Sequence, residues 1–171
     1  RPYSLKKTLE PYPKTPIYKF LDDSAIAHPG QVAVEYLGKK IRYSELRQYV
    51  NRLANALINL GVKKGDRVVL LLPNCPQFVI SYYAVLKAGG AVVATNPLYS
   101  PREMEHQFKD CGAETIIVLS LFYRTVASIK EKTNLKNIIV TNIKEYLPPV
   151  SRLLFTLLRE KKEGHRVDIS G

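Results

Sequence analysis

The chain has 171 residues, long enough for one domain whose core needs neither a disulfide nor a metal to hold it. Cys75 and Cys111 are its only cysteines and make no CxxC, which excludes a disulfide framework and a cysteine-based zinc site and suits a reducing cytoplasm. A formal net charge of +11 favours something anionic as a partner (lipid head groups, nucleic acid or phosphorylated ligands) without choosing among them.

No stretch reaches the roughly eighteen apolar residues of a membrane span, and the N-terminus has no apolar secretory core. The first residue is Arg, so the chain is expected to be a piece of a longer protein. Residues 1–16 carry Pro2, Pro11, Pro13 and Pro16 and read as an extended lead-in. From Ile17 to Ala27, the apolar positions Ile17, Phe20, Leu21, Ile26 and Ala27 approximate a helical stripe, which His28, Pro29 and Gly30 break. His28 is thus a helix-end residue. Residues 32–36 and 39–43 flank Leu37-Gly38 and predict a β-hairpin, with Gly38 supplying the positive φ of the turn. Ser44 is the expected N-cap of an amphipathic helix to Leu60, with Leu46, Val50, Leu53, Ala54, Leu57 and Leu60 on one face.

The stretch from Gly61 to Pro97 organises the rest. Residues 67–72 form a continuous apolar run, the mark of a strand buried on both faces of a parallel sheet. Pro76 opens a helix that is apolar nearly all round from Phe78 to Leu86, so it must be buried, and Val79→Asp should unfold the chain. Gly89 and Gly90 stop that helix, and residues 91–95 return as a second strand too apolar to face water. Strand, helix and strand make a βαβ unit. The alternation continues with a helix opened by Ser100, Pro101 and Glu103, a strand at 115–119, a helix at 123–132 and a strand at 136–141. The predicted class is α/β: a three-layer, mostly parallel, doubly wound sheet with the hairpin at one side. Ligands of such sheets sit beyond the carboxyl ends of the strands, here at Pro73, Asn74, Asn96, Pro97, Ser120 and Asn142.

Pro148 and Pro149 divide the chain into an α/β subdomain at 1–147 and a basic amphipathic helix and linker at 148–171. In that helix Val150, Leu153, Leu154, Leu157 and Leu158 make an apolar face beside Arg152, Arg159, Lys161 and Lys162. Two readings fit: peripheral contact with an anionic membrane through residues 150–162, or leucines against a neighbouring domain with the basic groups merely solvated.

Catalytic patterns are absent: no GxxxxGK[ST], GxGxxG after a strand, HExxH or GxSxG occurs. The glycine-bearing run Gly61 to Asp66 precedes a strand instead of opening a helix, so it reads as a turn. His106, near Glu103 and Glu105, and His165, in the basic tail, have no partner nucleophile at recognisable spacing and read as surface or packing residues. The tyrosines fall mostly on buried helices or strand ends, which argues against nucleic acid as a partner.

The segments IRYSEL (41–46), LGVKKGDRV (60–68), PNC (73–75), LKAGGA (86–91), NPLY (96–99) and the run from Arg102 and Glu103 through DCGAET (110–115) closely resemble the adenylate-forming enzymes. That superfamily includes acyl-CoA synthetases, luciferase and the adenylation domains of nonribosomal peptide synthetases. The resemblance covers about residues 16–142 and is most like a long-chain fatty acid–CoA ligase. It implies an N-terminal subdomain of an enzyme that uses ATP, Mg and CoA to activate a fatty acid to an acyl-adenylate and then a thioester. The family's phosphate loop, magnesium-ordering glutamate, ribose-binding aspartate and C-terminal lysine have no counterpart among these residues. The expectation is therefore no catalytic, cofactor-binding or metal-binding residue, and an inactive fragment of a cytoplasmic enzyme. The alternatives are a non-catalytic basic α/β module on an anionic surface (membrane or nucleic acid), or the N-terminal part of an aryl-CoA ligase or peptide-synthetase adenylation domain.

Overall fold

The structure, a computed structural model, describes residues 11–12 and 14–167. Its centre is β3 (Arg67–Leu71), where Val68, Val69, Leu70 and Leu71 are all fully buried. A run with no polar side chain can be covered on both faces, and this one is. β3 pairs in parallel with β4 (Ala91–Ala94) on one side and β5 (Thr115–Leu119) on the other, and β6 (Asn137–Thr141) continues beyond β5. The order β4-β3-β5-β6 splits the core in two, because successive side chains of a strand point to opposite faces. Val68, Leu70, Ile117 and Leu119 face one cluster, together with Leu21 of α1 (Ile17–Ala27), Leu46, Val50 and Leu57 of α2 (Tyr43–Asn59) and Ile80, Ala84 and Val85 of α3 (Pro76–Lys87). Val69, Leu71, Ile116 and Val118 face the other, with Met104 and Phe108 of α4 (Pro101–Cys111) and Val126 and Ile129 of α5 (Tyr123–Ile129). The three-layer α/β expectation holds.

β1 (Val32–Tyr36) and β2 (Lys39–Arg42) form a separate antiparallel pair. Its two-residue turn places Leu37 at φ 47° and Gly38 at φ 84°. Both turn residues are left-handed, as a two-residue hairpin of this hand demands, so Leu37 shares a strain that the expectation gave to Gly38 alone. Gly90 is required for a different reason. A Cβ there would lie 3.1 Å from both the Asp66 carbonyl oxygen and Val85 Cγ1, where the α3–β4 connection runs tight against β3.

Several expectations need correction. α2 begins two residues earlier than a Ser44 cap allows, because the Arg42 N–H donates to Glu45 Oε2 at 2.8 Å and Tyr43 is already helical. On α1, Leu21 and Ala25 are buried, whereas Ile17, Phe20 and Ile26 are at least half exposed: the stripe meets the core along one narrow line. β4 lies at the sheet edge, with Ala91 and Ala94 exposed and Val92 and Val93 half-buried, so it does face water on one side. α3 has no exposed residue, as a helix apolar nearly all round requires, yet Val79 is only half-buried while Ala84 and Val85 are completely so. The lead-in at 1–16 lies largely outside the described residues.

Candidate functional site

The strand order decides which part of the carboxyl edge can hold a ligand. The chain leaves β3 for β4 on one side and returns past β3 to β5 on the other, so the crevice opens between the carboxyl ends of β3 and β5. Leu72, Pro73 and Asn74 leave β3 at that point, and Ser120 follows β5. Asn74 is exposed. Asn96 is exposed too, its side-chain oxygen accepting the Leu98 N–H at 3.0 Å, and it stands beyond β4 on the far side of β3. Ser120 and Asn142 are instead occupied by the chain's own tail.

That tail follows α6 (Pro149–Leu158) and turns back to the sheet. His165 is buried, and its Nδ1 lies 2.9 Å from Ser120 Oγ. The Phe155 ring meets the imidazole edge to face at 5.2 Å. Asn142 Nδ2 donates to the His165 carbonyl at 3.2 Å and to Glu160 Oε1 at 3.1 Å, and Lys144 Nζ pairs with the same carboxylate. Gln77 Nε2, from the first turn of α3, donates to the Asn142 carbonyl at 3.0 Å.

Reading His165 as lacking a partner therefore missed Ser120, which is 45 residues away in sequence. No spacing rule reaches that far; only the fold brings them together. The pair is nonetheless a latch and not a nucleophile with its base. Both residues are buried, burial pushes the His165 pKa down, and among the described residues no group hydrogen-bonds the second ring nitrogen to orient it.

The other sequence candidates are dispersed. His28 is exposed at the carboxyl end of α1, its N–H bonded to the Ser24 carbonyl. His106 is exposed on α4, where Glu103 is engaged by Ser100 and Glu105 by Lys109. Cys75 is buried at the start of α3, and burial pushes its thiol pKa up, so it is an inert packing residue; Cys111 points its thiol at the Phe108 carbonyl. The run Gly61 to Asp66 is a turn, with the Lys63 N–H already donating to Asp66 Oδ2 at 2.8 Å. Between β5 and β6 and the α2–α3 layer lies a cavity of about 250 Å³, bounded by Leu53, Gln77, Ile80, Ser81, Ile117 and Ile139. Two buried oxygens near this edge, Gln77 Oε1 and Thr95 Oγ1, have no hydrogen-bond partner.

The α/β scaffold is shared with known enzymes. The family described as AMP-binding enzyme matches residues 21–164. The chain belongs to the AMP-binding enzyme family. Among its AMP-binding relatives, a long-chain-fatty-acid–CoA ligase of Bacillus subtilis is 40% identical over 152 residues, covering 89% of this chain and 27% of that protein. One from Salmonella typhimurium is 36% identical over 132 residues, covering 77% of this chain and 24% of that protein. The crystal structure of a long-chain-fatty-acid–CoA ligase from Archaeoglobus fulgidus superposes with a TM-score of 0.71 at 27% identity, covering 76% of this chain and 28% of the other. The matched region is the N-terminal part of these proteins, so the chain spans about a quarter of its relatives.

Among the described residues no three His, Cys, Asp or Glu side chains are grouped to hold an ion, and no glycine-rich loop joins a strand to a helix.

Proposed function

We propose that the chain is the N-terminal scaffold of a long-chain fatty acid–CoA ligase. The parent enzyme would activate a fatty acid with MgATP to an acyl-adenylate and pyrophosphate, then pass the acyl group to CoA. The observation that carries this reading is the 40% identity to the Bacillus subtilis ligase along nearly the whole chain. Residues 1–147 form the α/β subdomain in this reading and 148–171 the link onward. It is supported by α6, which buries none of its own residues. A cytoplasmic location is supported by two cysteines that are both unpaired.

The role proposed for the chain's own residues is positional. Buried β3 and β5 hold Asn74 and the Ser120 latch at fixed places along the edge against which the remainder of the enzyme would build its nucleotide site. No residue of the chain is assigned a catalytic part. Pyrophosphate exchange into ATP tests the reading. The parent enzyme should exchange with a long-chain fatty acid and not with an aryl acid, and the purified 171-residue chain with neither. Exchange by the chain alone would refute its inactivity, and a parent that exchanges only with aryl acids would refute the substrate class.

A further inference from the structure

We propose that residues 159–166 are a strap that closes over the carboxyl ends of β5 and β6, and that uptake of one proton by His165 opens it while the sheet stays folded. The strap is fastened at two places. Ser120, which follows β5, and His165 share the 2.9 Å hydrogen bond between Oγ and Nδ1. Asn142, which follows β6, donates from Nδ2 to the His165 carbonyl and to Glu160, and Lys144 pairs with the same carboxylate. α6, from which the strap hangs, buries none of its residues, so swinging the tail away uncovers little apolar area. Gly164, at φ 78°, supplies the bend that turns the chain back to the sheet. A segment held chiefly by polar contacts is of the kind that opens locally, well below the free energy of global unfolding.

The closed strap suits a neutral imidazole and not a charged one. His165 is only 6% exposed, and its ring lies against that of Phe155 at 5.2 Å. A protonated ring carries two N–H donors and no acceptor. Ser120 Oγ can accept from one, and among the described residues no group accepts from the other. The surrounding charges do not make up the difference. Glu160 is held by Lys144 and Asn142, Glu163 reaches Arg159 at 3.7 Å, and Arg124 of α5 lines the cleft beside Gly164 together with Arg166. Burial outweighs the pull of the two glutamates and pushes the His165 pKa down. In the open strap water solvates the imidazolium, so the open form binds the proton more tightly and falling pH favours it. The proton comes from solvent and returns to it on closing. Opening frees the Ser120 hydroxyl and the Asn142 amide beside the crevice between β3 and β5, at the end of the sheet where ligands of such folds sit. The strap is thus an internal occupant of that edge, displaced by acid. The inference does not depend on what the parent enzyme activates.

Amide hydrogen exchange of the 171-residue chain, read by mass spectrometry of peptides at about pH 7.5 and about pH 5.5 and corrected for the intrinsic pH dependence of exchange, tests the strap. The His165 and Arg166 N–H groups donate to the Glu160 carbonyl in a turn too short to persist once unfastened, so they report closure. Protection at 159–166 should fall several-fold at the lower pH while β3 and β5 keep theirs; uptake of one proton limits the fall to about tenfold per pH unit. His165→Gln should be equally protected at both pH values. Ser120→Ala keeps the imidazole and loses its partner, so it should loosen the strap about two- to tenfold at the higher pH. By NMR the His165 ring of that variant should titrate closer to the ordinary 6.5 than in the wild type. This second variant carries the test if His165→Gln does not fold. A strap whose protection ignores pH, or an equal pH effect in His165→Gln, would overturn the proposal. So would a fall steeper than one proton allows, an unchanged ring titration in Ser120→Ala, or loss of protection in β3 and β5 together with the strap, which would make opening a global event.

Discussion

His165 shows how one residue ties the tail to the sheet. Burial favours its neutral form, so its folded pKa lies below the ordinary 6.5; Glu160 and Glu163, both nearby, pull weakly the other way. Above that range both folded and unfolded chains carry a neutral imidazole, and the latch contributes in full. As pH falls through about 6.5 the unfolded chain takes up the proton first, and stability drops until the folded pKa is passed. Melting temperature should thus decline between roughly pH 7 and pH 5 more steeply in the wild type than in His165→Gln, which keeps a neutral hydrogen-bonding group. Identical slopes would show that folding does not lower the imidazole pKa. The histidine was visible in the sequence as a residue of a basic tail, but its burial was not, because burial depended on where β5 ends.

At the scale of elements, α3 and α1 make contrasting cases. α3 is apolar nearly all round and has no exposed residue, so the inference from composition to burial succeeded for the helix as a whole. It did not rank the positions. Val85 is fully buried between the sheet and α2, while Val79 is half-buried near the helix start. Val85→Asp should cost about 4 kcal/mol or more by burying an unpaired charge, and Val79→Asp roughly 1–2 kcal/mol, as read by urea denaturation. Equal costs would place the buried face wrongly.

α1 has little apolar contact and is fastened by polar bonds. Asp22 accepts Lys87 Nζ of α3 at 2.7 Å on both carboxylate oxygens and Arg47 Nε of α2 at 3.1 Å. Because Asp22 and Lys87 are mostly shielded from solvent, Asp22→Ala should cost about 1.5–3 kcal/mol, the range for hydrogen bonds between charged groups. The loss should appear first as faster proteolysis before residue 28. Pattern reading marked α1 by its apolar stripe and overlooked the aspartate, since three helices must converge before Asp22 has anything to bind.

Across the whole molecule, cooperativity should follow the sheet order. β3 and β5 are each paired on both sides and buried except at Arg67, whereas β4 and β6 are edges and the β1–β2 hairpin is a two-stranded sheet of its own. Two strands alone are marginal in water. Amide hydrogen exchange should therefore be slowest in β3 and β5, intermediate in β6 and fastest in the hairpin, a ranking that mass spectrometry of peptides can read. Hairpin amides as slow as those of β3 would mean that the two sheets unfold as one.

The sequence by itself determined the identity and order of the elements, the α/β class and the family. Runs such as residues 67–72, breakers such as Pro76 and Gly89, and motifs such as LKAGGA are local, and local chemistry is what a sequence displays. It also displayed the apolar and basic faces of α6. Only the tertiary structure decided that β4 lies at an edge, that the crevice opens between β3 and β5, and that His165 closes the β5 side of it on Ser120. Each of these depends on which distant segments become neighbours. That is settled by strand order and packing over tens of residues, beyond the reach of any period or motif.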